Sequence, residues 1–70
     1  MKVEVNGSVV ELDAGASVRD AALTLAIDPS GRGIAVAVDG EVVPRSEIEA
    51  TALHEGQRVE IVTAIGGGAR

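Results

Sequence analysis

The residues best placed for chemistry in this sequence carry no side chain. Gly66, Gly67 and Gly68 follow a β-rich run, residues 57–65, and precede Ala69 and Arg70. Consecutive glycines lose much backbone entropy on ordering and offer nothing to pack, so they are a poor way to finish a core. They suit a narrow channel, because a backbone without Cβ atoms can place a main-chain carbonyl or carboxylate where a bulkier residue would clash. The chemistry on offer is then that of an acyl group, with the glycines as substrate. The alternative is a linker or loose chain end without a role of its own. Side-chain chemistry has weaker support. Ser17 and Ser46 have a single histidine, His54, to share, and nothing brings either near it. His54 with Glu47, Glu49 and Glu55 shows no metal-ligand spacing. Gly31-Arg32-Gly33 lacks the spacing and Lys-Ser/Thr of a phosphate loop and reads as a turn. No catalytic side chain and no metal are expected.

A strand must present such a tail, and the pattern of residues supplies the elements around it. Residues 2–12 alternate about Asn6-Gly7, the pair that fills both positive-φ positions of a type I′ hairpin turn. Ser17 is the predicted N-cap of a short helix, with Asp20 three residues on, near the positive end of the helix dipole. Val18, Ala21, Ala22 and Leu25 form one buried stripe at helical spacing, and Pro29 is the predicted stop. Residues 34–38 are apolar on both parities, as in a central strand with a neighbour on each side. Asp39-Gly40 marks a second hairpin, and 41–43 return as a short strand that Pro44 confines to an edge. Residues 45–55 have no clean period and read as a helical turn or irregular loop. The last strand, about 57–64, sets Val59 and Ile61 inward and Arg58 and Glu60 outward.

Composition limits what this assembly can bind. The 70 residues hold no cysteine and no aromatic residue, so the core is of Val, Ala, Ile and Leu and depends on packing alone. A formal charge of −5 opposes a polyanion, and the missing aromatics remove base-stacking platforms. Nucleic acid is therefore not an expected partner. No apolar run is long enough to cross a bilayer, and the N-terminus lacks a signal-peptide core, so the expected setting is soluble and cytoplasmic.

The order hairpin, helix, two strands, irregular connection, strand is that of an α+β, ubiquitin-like β-grasp: a small mixed sheet with one main helix packed across one face. The first and last strands are then parallel central neighbours, and the tail leaves from the middle of the sheet. The expected division is a β-grasp domain at 1–65 and a flexible Gly-rich C-terminal tail at 66–70.

Two longer strings now resemble a known family. Residues 34–46, Ile-Ala-Val-Ala-Val-Asp-Gly-Glu-Val-Val-Pro-Arg-Ser, and 56–68, Gly-Gln-Arg-Val-Glu-Ile-Val-Thr-Ala-Ile-Gly-Gly-Gly, are similar to the middle segment and C-terminal end of ThiS-like sulfur carrier proteins. The likeness covers nearly the whole chain. It implies that Gly67-Gly68 is the family's diglycine, that Gly68 is adenylated and converted to a thiocarboxylate, and that Gly66 and Gly67 thread into a partner's active site. It implies no bound cofactor, ATP being used by the partner enzyme. The implied partners are a ThiF-like adenylyltransferase and a ThiG-like thiazole synthase or another sulfur-accepting synthase. Ile65 and Glu60 are the docking candidates, and the acidic residues at 41, 47, 49, 55 and 60 either solvate the domain or help it dock on a basic surface.

The sequence departs from the family pattern in two places. Ala69-Arg70 leaves the Gly68 carbonyl in a peptide bond, so a processing protease is expected to remove them, the other reading being an inactive or divergent chain. Ile48 stands where the family often has an aromatic residue, a core change that leaves the tail chemistry untouched. The default pathway is thiamin thiazole synthesis. The rivals are a carrier for natural-product, cysteine or molybdopterin assembly, and a non-carrier β-grasp interaction module whose sheet surface does the binding.

Overall fold

Two Asx-Gly pairs and one capped helical turn account for most of the chain's changes of direction. The computed structural model describes residues 1–29 and 31–63. Strand β1 (Lys2–Val5) turns through Asn6 (φ 49) and Gly7 (φ 89) into β2 (Ser8–Glu11). Strand β3 (Ile34–Val38) turns through Asp39 (φ 50) and Gly40 (φ 84) into β4 (Glu41–Val43). Both pairs carry the left-handed backbone that a type I′ turn requires. The last strand is β5 (Arg58–Thr63).

Helix α1 (Val18–Leu23) lies between the hairpins. Ser17 caps it as expected, in a reciprocal box: the Asp20 N–H donates to Ser17 Oγ, and Asp20 Oδ2 accepts the Ser17 N–H at 2.8 Å. Val18, Ala21 and Ala22 are buried, but Leu25 is 38% exposed, which corrects the expected stripe. The helix ends at Leu23, before its second full turn can bring Leu25 to the core. Pro29 is not what stops it. The chain turns at Ala26 (φ 59), where the Ile27 N–H donates to the Ala22 carbonyl and the Ala26 N–H to that of Leu23, the bond pair of a Schellman close. Pro29 is instead fully buried.

The five strands form one sheet in the order β2-β1-β5-β3-β4. All neighbours are antiparallel except β1 and β5, which run parallel through Glu4↔Arg58 and Val5↔Val59. One face, with Val3, Val5, Val36, Val38, Val59 and Ile61, packs with Val18, Ala21 and Ala22. Ile48 and Leu53 complete this core from the segment that showed no period in the sequence. That segment contains one 3-10 turn, Arg45–Glu47, and is sewn to the helix entry by Val18 N–H to Thr51 O (3.0 Å) and Leu53 N–H to Ala16 O (2.8 Å). The result is the mixed α+β β-grasp expected, with β4 at an edge and β5 third of five.

Candidate functional site

The central strand β5 is supported on both flanks from Arg58 to Ile61. On one side β3 pairs with it from Val38↔Val59 to Ile34↔Thr63. On the other, β1 reaches Val59 and then turns away. The two hairpin turns add side-chain bonds at the first residue of β5 and at its fourth. Asp39 Oδ1 accepts the Arg58 N–H at 3.0 Å, and its Oδ2 accepts from Gln57 Nε2 at 3.3 Å. Asn6 Oδ1 accepts the Ile61 N–H at 2.7 Å, while Asn6 Nδ2 donates to the Ile61 carbonyl at 3.1 Å. The residue types fit their tasks. Asn6 meets one donor and one acceptor, as a carboxamide can and a carboxylate cannot, whereas Asp39 meets two donors.

These clamps were not foreseen, since Asn-Gly and Asp-Gly read as turn formers alone. The usable signal was the choice between Asn and Asp, which differ in donor capacity but satisfy a turn about equally.

The face of the sheet away from the helix carries Glu4, Arg58, Glu60, Ala35 and Ala37. It also holds the most exposed large apolar side chains, Val9 (68%), Val62 (64%) and Val42 (75%). Glu60 lies here, next to Val62 and opposite Ala37. Of the acidic positions singled out in the sequence, Glu60 is the one on β5 itself. Glu55 receives the Lys2 N–H at 2.9 Å and Glu49 pairs with Arg19 at 3.3 Å, so both have partners within the fold. Arg58 and Glu4 lie 3.6 Å apart and well exposed, a contact worth little in water. Ile65, Gly66, Gly67 and Gly68 lie outside the described residues, as does the expected boundary between domain and tail at 65/66. Among the described residues no group of His, Asp or Glu is placed to hold a metal ion, and no helix is long and apolar enough to cross a membrane.

A mixed five-stranded sheet with one helix across one face, and a C-terminal strand clamped in its middle, defines a β-grasp protein of the ubiquitin-like class. Residues 3–68 match the ThiS family, and the chain belongs to it. As a ThiS-family chain it is a small sulfur carrier protein and not a catalyst. The crystal structure of the thiamine biosynthesis protein ThiS from Geobacter metallireducens is similar with a TM-score of 0.74 and 28% identity, over 97% of this chain and 100% of that one. The solution structure of a thiamine biosynthesis protein from the same organism gives 0.73 and 28%, over 100% of this chain and 91% of that one. No curated protein matches the sequence.

Proposed function

We propose that this chain is a sulfur carrier for thiamin biosynthesis whose working atom is the carboxyl carbon of Gly68. The observation that carries the reading is the placement of β5: a central strand, bonded on both flanks, is followed in sequence by a glycine segment whose last family-matched position is Gly68. The family match and the two Geobacter relatives support the pathway.

The reaction asks little of the carrier's own side chains. A Gly68 carboxylate oxygen attacks the α-phosphate of ATP on a ThiF-like adenylyltransferase, and pyrophosphate leaves. Hydrosulfide then attacks the carbonyl carbon, AMP departs, and loss of the S–H proton leaves the thiocarboxylate. A ThiG-like thiazole synthase, or another sulfur-accepting synthase, receives it. ATP is the partner's substrate here and is not held by the carrier. While Gly68 is bonded to Ala69 it has no carboxylate, so a protease must first cut that bond. Gly66 and Gly67 thread the partner's channel, and Ile65 and Glu60 join the docking surface. With a formal charge of −5, the carrier suits a basic enzyme face, and the expected setting is the cytoplasm.

Intact mass after incubation with native extract, ATP and a sulfide source tests this. Loss of Ala69-Arg70 and then a gain of about 16 Da, sulfur for oxygen, is expected. An unchanged mass, beside a control carrier that does react, would overturn it. The uncovered sheet face with Val9, Val42 and Val62 favours one second reading, a β-grasp interaction module indifferent to its tail.

A further inference from the structure

We propose that Asn6 is a positioning residue that steadies β5, the strand from which the acyl-bearing segment continues in sequence, a role that rests on the carrier reading above. The backbone of β1 pairs with β5 only at Glu4↔Arg58 and Val5↔Val59. At Asn6 the chain is already in the left-handed turn, and its N–H makes the last main-chain bond of this pair, to the Val59 carbonyl at 2.9 Å. One rung further on, the β1 backbone has gone. The Asn6 carboxamide takes its place and bonds both the N–H and the carbonyl of Ile61, 55 residues away in sequence. An amide side chain thus extends a parallel strand pair by one rung, to the fourth of the six residues of β5.

Without this rung, β5 beyond Val59 is held on the β3 flank alone, and strand ends with few bonds open most readily. Opening from the Thr63 end of β5 then reaches further back along the strand. From Thr63 to Gly68 the chain spans at most about 17 Å when fully extended. Each residue of β5 that opens from β3 enlarges the volume the carboxylate samples and lowers its effective concentration in the partner's active site. Docking of the folded face is unaffected, so the deficit falls on kcat and not on KM. Loss of folded protein would do the opposite: it would raise the apparent KM and leave kcat unchanged.

The test compares wild type with Asn6→Gly and Asn6→Asp. Glycine keeps the positive φ of the turn while removing both bonds; aspartate keeps an acceptor for the Ile61 N–H but sets an oxygen against the Ile61 carbonyl. Amide hydrogen exchange of the full chain reads the clamp directly. Exchange at Ile61 is expected to rise about tenfold or more in Asn6→Gly, with Val59 little changed and Asn6→Asp between. Adenylation of the Gly68-terminated form, followed by pyrophosphate release, is expected to show kcat reduced roughly threefold or more at unchanged KM. Unaltered Ile61 exchange overturns the clamp, and an unaltered kcat, or a rise in KM alone, overturns the positioning role. If the Gly68-terminated wild type is not adenylated at all, the carrier reading fails and the positioning role with it, while exchange still decides whether the clamp exists.

Discussion

Asp39 and Arg58 meet where β5 begins: the Arg58 N–H donates to Asp39 Oδ1 at 3.0 Å, and the Asp39 N–H donates to the Arg58 carbonyl at 2.8 Å. The first residue of the second hairpin turn thereby holds both main-chain groups of the first residue of β5. Asp39 does this from a left-handed backbone, φ 50. Asp39→Ala should lose both side-chain bonds and keep a Cβ at positive φ without the polar side chain that tolerates it, at a cost of about 2 kcal/mol. Asp39→Gly should lose the same bonds but relieve the backbone strain, and so cost less. Urea unfolding of the two variants separates the contributions, and equal stabilities would contradict the assignment.

Ala26 closes the helix at φ 59, a position where glycine is the usual occupant. Ala26→Gly should stabilise the fold by roughly 0.5–1 kcal/mol, relief of backbone strain exceeding the added chain entropy. For a domain of this size that corresponds to a rise of several °C, about 4 for each 0.5–1 kcal/mol, in a thermal melt. A lower midpoint would show that the strain is absent.

Ser17→Ala removes the acceptor of the Asp20 N–H and half of the capping box. The helix has only Val18–Leu23 to stabilise it, so a loss of about 1 kcal/mol is expected by denaturant titration.

Val59 is completely buried and stands opposite Val5 on one flank and Val38 on the other. Val59→Ala leaves a cavity at the crossing of both pairings. A cost of about 2 kcal/mol follows, visible as a fall of roughly 10 °C in the thermal midpoint. The core is small-chained, which leaves few long side chains able to fill the gap.

Gly68→Ala in the Gly68-terminated form places a methyl group beside the reacting carboxylate. Thiocarboxylate formation, followed by intact mass, should slow by about 100-fold, the cost of small misplacement at a reacting centre, with no change in unfolding. A wild-type rate would remove the case for a narrow channel and favour the interaction module.

Much of this architecture was legible in the residues because its determinants are local. Asn6-Gly7 and Asp39-Gly40 specify turns by backbone preference, Ser17 and Asp20 specify a cap by hydrogen-bond geometry, and Val59 and Ile61 specify a face by alternation. The β-grasp order of the elements supplied what local rules do not, the parallel pairing of β1 with β5, and resemblance to the ThiS family supplied the proposed working glycine. Gly68 itself rests on that likeness, since the tail lies outside the described residues.

Where the reading missed, contacts between distant residues decided the outcome. Leu25 sits at proper helical spacing, yet the chain turns at Ala26 and leaves it at the surface. Ile48 and Leu53 show no period but enter the core, because their backbone is bonded to the helix entry and not to a regular neighbour of its own. The same holds for the candidate site. Sequence alone determined that Asn6 and Asp39 turn the chain, since a turn is settled by a residue and its immediate neighbours. Only the tertiary structure decided that their side chains grip β5 at Ile61 and Arg58, because a hydrogen bond across 55 or 19 residues exists only once the sheet has brought its partners within about 3 Å.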